Sequence, residues 1–269
     1  MLGDVHLYVA EMNLHGVLTF SSEIRPAVAG VGSVIITSRF IHNYSLIYAF
    51  NGKLAEAYVT FPSLHLPVKR PPYIKPLQYT FVEEVIGGLQ RGELKYVYAY
   101  PAMPVRVTSR KFFMAAKGTG YAEPVRRGLK VFFPMSTNWI SLVPPTKHLT
   151  ILVSPRELPR TLYVRIGMKR TGLYKVRLKE AAVREKVADL RWSSIPVNLY
   201  DTRLFGYDVE DFVKVLETRS KPLGKRGANV VGYVRARGMY RLSVKERRGE
   251  SYIIPLPKTV GRYLLGEGG

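Results

Sequence analysis

The chain has no cysteine among its 269 residues, which removes disulfides, thiolate nucleophiles and cysteine-bound zinc. Acidic residues are scarce: 20 Asp and Glu face 41 Lys and Arg, a formal net charge of +21. A folded protein with that excess repels itself unless a polyanion is near, so nucleic acid heads the partner classes. Basic charge without a specific site, as in a thermophile or on ribosomal RNA, is the bland alternative. No uncharged apolar run approaches ~20 residues, which argues against a membrane span. The opening "MLGDVHLYVAEMNLHG" has neither a basic n-region nor a long apolar h-region. It does not read as a signal peptide, and a cytoplasmic protein is expected.

Chemical motifs are equally sparse. His6, His15, His42, His65 and His148 lie scattered, with no H-E-x-x-H and no pair at ligand spacing. There is no G-x-x-x-x-G-K-[ST], no G-x-S-x-G and no kinase signature, so neither metal nor cofactor is expected. "GKRGANVVG", Gly224 to Gly232, could cradle a phosphate with its backbone N–H groups, Lys225 and Arg226, or could be a plain hairpin turn.

What is present reads as a globular α+β chain: 46% of the residues are hydrophobic, enough to bury a substantial core. "DVHLYVAEM" alternates Val5, Leu7 and Val9 against His6 and Tyr8, which predicts a strand. From Arg39 the period lengthens. Phe40, Ile41, Tyr44, Ile47 and Tyr48 predict one stripe of a helix, with Ser38 as N-cap, Gly52 as stop, and Arg39, His42, Asn43 and Leu46 on the neighbouring face. "LAEAYVTF" reads as a strand, and the five prolines of "PSLHLPVKRPPYIKP" make the next segment a loop carrying Lys69 and Arg70. "TFVEEVIGGLQRG" predicts a short helix ending near Gly88 or Gly92.

Strand-like runs follow in "KYVYAYP", "PVRVTSRKFFMAA", "GLKVFFPM", "HLTILVS" and "TLYVRIGMK". Between them a hairpin is expected, its tip at Lys117 to Arg127. "DVEDFVKVLETRS" predicts a late helix with Asp208 as N-cap and Val209, Phe212, Val213 and Leu216 on one side. The final alternation around Tyr233 to Leu256 predicts a hairpin turning near Arg248 and Gly249. The order strand, helix, strand, helix, then several strands fits an α+β domain with a mainly antiparallel sheet.

The charge is uneven. Residues 1 to 50 carry a net −1, leaving +22 for the rest. Seven basic residues and one acid lie between Arg106 and Lys130, five basic and no acid between Arg165 and Arg177, and ten basic and one acid between Arg219 and Arg248. Phe112, Phe113, Tyr121, Tyr174, Tyr233 and Tyr240 are interleaved, so bases could stack while Lys and Arg hold phosphates. The competing reading is a solvated strand face above core aromatics. His42 is either a general base for metal-independent RNA cleavage or a hydrogen-bonded structural histidine, and with no second acid or base the sequence does not support an enzyme.

The stretch "ITSRFIHNYSLIYAFNG" resembles the T-R-x-I-H-N-Y-x-L-x-Y-A-L-G region of the Csc-one type CRISPR-associated proteins, the Cas-five group of subtype I-D Cascade, through Thr37, Arg39, Ile41, His42, Asn43, Tyr44, Leu46, Tyr48 and Ala49. "LYVRIGMKRTG" is similar to that family's I-R-L-G-K segment at Arg165, Ile166 and Gly167, with Met168 inserted before Lys169. The resemblance covers residues 1 to about 180. It implies a single repeat-associated (RAMP) domain over 1–269, with a ferredoxin-like, RNA-recognition-type sheet, an inserted basic thumb hairpin around 106–130 and a strand-rich part from about 205. It further implies a ribonucleoprotein subunit of antiviral defence. Such a subunit holds the 5′ handle of the CRISPR RNA, caps the filament of Cas-seven-type backbone subunits, and meets the Cas-ten-like large subunit and target DNA near the PAM. Candidate RNA-binding residues are then Arg39, His42, Asn43, Tyr44, Lys69, Arg70, Arg106, Arg110, Lys111, Lys117, Arg126, Arg127, Arg165, Lys169, Arg170, Lys225 and Arg226. The alternatives are an endoribonuclease that processes precursor CRISPR RNA and a generic basic RNA-binding protein.

Overall fold

The computed structural model describes residues 5–20, 24–25, 33–53, 80–115, 136–167, 170–186, 193–195, 197–198, 201, 205, 214–218, 229–235, 240–244 and 251–266. The elements run β1 (His6–Leu14), β2 (Ile24–Arg25), β3 (Ser33–Ile36), α1 (Asn43–Phe50), α2 (Thr80–Arg91), β4 (Tyr98–Ala99), β5 (Met103–Ala115), β6 (Ser136–Ser154), β7 (Thr161–Ile166) and β8 (Gly172–Lys186). There follow β9 (Val197–Asn198), β10 (Lys214–Thr218), β11 (Asn229–Arg235), β12 (Tyr240–Val244), β13 (Ser251–Ile254) and α3 (Lys258–Leu264).

Ten of these strands form one sheet, with a path β13-β12-β8-β1-β6-β3-β2, β4 and β5 paired to β6, and β7 paired to β8. All its pairs are antiparallel except β3 with β6. A second sheet has the order β10-β11-β9. The α+β reading with a mainly antiparallel sheet therefore holds.

β1 is the centre of the large sheet, and its register assigns the faces. Paired residues share a face, so Tyr8, Ala10, Met12 and Leu14 stand with Leu152, Thr150 and His148 of β6 and with Leu178, Val176 and Tyr174 of β8. All of these are buried. The opposite face divides in two. At one end Leu7, Val9, Ile151, Val153 and Ala181 are buried; at the other Asn13, Lys147, Lys175 and Arg177 are half-buried or exposed. The predicted alternation in β1 is thus real, but both faces of Leu7 to Ala10 are covered, as befits a central strand.

α1 begins at Asn43, later than its apolar spacing predicts. Ile41 exchanges backbone hydrogen bonds with Ala102, and this bridge holds it extended, so the helix cannot start before His42. Ser38 accepts from Phe40 N in the preceding turn, and His42 is the N-cap, its side chain accepting from Tyr44 N. The buried arc is centred on Asn43, Leu46 and Ile47 at i, i+3 and i+4, each fully buried; Phe40 and Tyr44 are only half-buried. Leu46 therefore belongs to the core and not to the neighbouring face. Burial of a side chain such as Leu46 or Ile47 stabilises the fold by about 1.5–3 kcal/mol.

α2 runs through Gly88 to Arg91 and ends at Gly92, whose φ of 75° supplies the left-handed exit from the helix. α3, which the periodicity does not announce, packs Gly261 against Tyr240 so closely that a Cβ there would collide with the ring. The predicted late helix is overturned where it is described: residues 214–218 are strand β10, paired to β11. An apolar residue every third or fourth position fits either period over so short a run, and cross-strand pairing decides it. The C-terminal hairpin is present as β12 with β13. The expected strands at 54–61 and 128–135, and the remainder of the predicted late helix outside 214–218, lie outside the described residues.

Candidate nucleic-acid interface

Two polar constellations stand out, one inside the fold and one on its surface. The inner one surrounds Asp201, which is fully buried. Its carboxylate accepts from Asn43 Nδ2 at 2.6 Å, from Tyr98 O–H at 2.9 Å and from Tyr44 O–H at 3.1 Å. Burial pushes its pKa up to about 6, and the three hydrogen bonds oppose that rise. His148 completes a second buried link. Its Nε2 lies 2.8 Å from Arg39 O, which can only accept, so Nε2 carries the proton and Nδ1 accepts from Tyr174 O–H at 3.1 Å. Burial lowers the pKa of His148 and of His42 to about 4, so both imidazoles are neutral at pH 7.

The outer constellation occupies the open half of the sheet face. Successive pairings place Tyr163 (β7) beside Lys175 (β8), Lys175 beside Asn13 (β1), Asn13 beside Lys147 (β6), and Lys147 beside Arg106 (β5). With strands about 4.8 Å apart, this five-residue row crosses ~19 Å of sheet. Tyr163 is 62% exposed. Irregular pairing on both sides of Arg106 marks a bulge, and Thr146 secures it by accepting from Thr108 N at 3.0 Å. Next in register lie Arg177 and Glu11, and the Glu11 carboxylate is ion-paired to the buried Lys179. Among the described residues the positive charges of the row thus have one acid next to them in register, already matched.

Between the row and the segment around Ser194 and Ile195 opens a cleft of about 870 Å³. It is lined by Met103 and Leu149, which share the face of Asn13, together with Glu11, Asn13, Lys147, Lys175 and Arg177, and by Tyr252. Volume and mixed lining suit a small ligand or one unit of a polymer.

Of the residues singled out in the sequence, Arg106 is in the row, and Arg165 projects two residues along β7 from Tyr163, exposed. Arg110 and Lys111 are exposed farther along β5, and Arg170 is exposed in the turn after β7 with φ 55°. Arg39 is exposed before α1. Asn43 is fully buried and Tyr44 half-buried, both bonded to Asp201, and His42 caps the helix. Asn43 is closed off from solvent, whereas His42 and Tyr44 keep part of their surface open. Lys69, Arg70, Lys117, Arg126, Arg127, Lys169, Lys225 and Arg226 lie outside the described residues.

Sequence reasoning missed Asn13, Lys147, Lys175 and Tyr163. The signal for part of it was there: "YKVRLK", Tyr174 to Lys179, alternates Lys175, Arg177 and Lys179 with Tyr174, Val176 and Leu178. Among the described residues no group of three His, Asp or Glu comes together to hold a metal, and no helix is long and apolar enough to cross a membrane.

Residues 5–229 match the family model of the type I-D CRISPR-associated protein Cas5/Csc1. No curated protein matches the chain. The match spans most of the sequence, and the chain belongs to the Cas5/Csc1 family of the type I-D CRISPR system.

Proposed function

From membership of the type I-D Cas5/Csc1 family, we propose that this chain is a non-catalytic CRISPR RNA-binding subunit of a type I-D Cascade complex. It holds the 5′ handle, caps the filament of Cas-seven-type backbone subunits next to the Cas-ten-like large subunit, and works in the cytoplasm. The observation that carries the RNA-binding part is the row Tyr163–Lys175–Asn13–Lys147–Arg106, an exposed aromatic followed by a polar amide and three cations on one open sheet face. Stacking on the ring and phosphate contacts from the cations are how unpaired RNA is held.

The ferredoxin-like reading of the sheet and the thumb reading of the β5–β6 hairpin belong to the same proposal. Ala115 pairs with Ser136, so the hairpin connection is the sequence 116–135, which carries Lys117, Arg126, Arg127 and Lys130. The non-catalytic reading is supported by His42: an imidazole with a pKa of about 4 and an Nδ1 engaged by Tyr44 N is a weak base at neutral pH.

The test is titration of the purified chain with repeat-derived 5′-handle RNA in a chelator. Tight binding without shortening of the RNA, with log K falling linearly in log salt, is expected. Equal affinity for unrelated RNA would favour a generic basic protein, and clean cleavage abolished by His42→Ala would establish the endoribonuclease instead.

A further inference from the structure

We propose that the cleft beside the row receives a single nucleotide turned out of the bound strand, and that Asn13 reads its base. This rests on the RNA-binding reading and adds to it a site, a ligand unit and a specificity residue. The cleft volume of about 870 Å³ lies within the ~300–1,000 Å³ of pockets that enclose small ligands. Its apolar floor of Met103 and Leu149 suits the face of a base, and Tyr252 offers an aromatic wall.

Part of the polar lining is spent, Glu11 on Lys179 and Ser194 Oγ on Ile253 N–H, and part is not. The side chains of Asn13, Lys147 and Lys175 have no hydrogen-bond or ion-pair partner among the described residues. Such groups are kept by water until a ligand replaces it. The Asn13 amide offers both a donor and an acceptor, the combination that matches a base edge, whereas an ammonium offers only donors. Asn13 stands between Lys175 and Lys147 in the row, so a base entering at Asn13 leaves its flanking phosphates beside the two lysines. A strand following the row would thus stack one base on Tyr163 and turn the next into the cleft.

The experiment titrates the full chain with 5′-handle RNAs carrying each base in turn at every position, in wild type, Asn13→Ala and the Lys147→Ala/Lys175→Ala pair. Thermal unfolding of each variant serves as the folding control. Wild type should prefer one base at one position by about tenfold, from one well-made bidentate contact. Asn13→Ala should lose that preference while binding the disfavoured sequences as before. The lysine pair should weaken all sequences alike and reduce the salt slope by about 1.4, two contacts at ~0.7 each. Tight handle binding with base preference unchanged in Asn13→Ala overturns the cleft proposal and leaves the RNA-binding subunit standing. Absence of handle binding by folded wild type overturns both. A handle carried on DNA that binds equally well would identify the cleft as a general single-strand site and would contradict its assignment to RNA.

Discussion

The network around Asp201 and the row from Tyr163 to Arg106 use similar residue types for opposite ends. In the first, an Asn and two Tyr side chains converge on one carboxylate with no exposure to water. In the second, a Tyr, an Asn and three cations are spread across five strands and face outward. The first contains Asn43 and Tyr44 of the His42-Asn43-Tyr44 motif; the second contains none of that motif and takes only Tyr163 from the other segment by which the resemblance is read. Asn43 and Tyr44 hold α1 to a residue more than 150 positions away, and the residues proposed to hold RNA are set by strand register.

The comparison breaks most sharply at Asp201. Asp201→Ala leaves the Asn43 amide and the Tyr98 and Tyr44 hydroxyls without their acceptor, each buried or half-buried. At about 1–3 kcal/mol per unsatisfied buried group, the loss is expected to exceed about 3 kcal/mol. Chemical denaturation would measure it, and RNA affinity of the molecules that remain folded should not change.

A pH series sharpens the same point. His42 and His148 have folded pKa values of about 4 against an ordinary 6.5, so between those limits the unfolded chain binds two protons that the native state refuses. Their contribution is fully present above pH 6.5 and is lost as pH falls through 4. Asp201 runs the other way: with its pKa raised from 3.8 to about 6, the native state binds a proton that the unfolded chain releases. The net difference is one proton, so stability should rise by about 1.4 kcal/mol per unit from pH 4 to 6, and Asp201→Asn should about double that slope. A slope that is flat, or unchanged by Asp201→Asn, would contradict this assignment of the network.

Next in size is the surface. Tyr163→Ala should weaken handle binding by about 1–3 kcal/mol, the worth of one stacked base, with little change in unfolding, because the ring is 62% exposed. The smallest effect is expected at Arg39→Ala: this side chain is exposed but stands in the segment before α1, outside the row, and its carbonyl, which the substitution keeps, is the part that holds His148. Affinity should shift by less than tenfold, and a larger loss would move the interface toward the motif.

Much of this was legible in the residues, and the boundary has physical reasons. β1, α2 and the C-terminal hairpin follow from local periodicity and turn residues. α1 was legible but shifted, because the Ile41–Ala102 bridge that delays its start is a contact across sixty residues. The strand at 214–218 reads as a helix because five residues carry too little period to choose. The basic clusters were legible as composition, but the row was not: which of Lys147, Lys175 and Asn13 lie side by side depends on strand order and register, which no single segment contains. Asp201 has no local signature, being one acid in "NLYDTRL".

The most direct measurement compares Lys147→Ala/Lys175→Ala/Arg177→Ala with Asp201→Ala, recording handle-RNA affinity and unfolding free energy for both at pH 7. The triple variant should lose affinity, with its salt slope reduced by about 2 at ~0.7 per phosphate contact, and should unfold like wild type. Asp201→Ala should lose stability and keep affinity. A triple variant that binds like wild type, beside an Asp201→Ala that is stable but no longer binds, would place the grip in the motif and contradict this account.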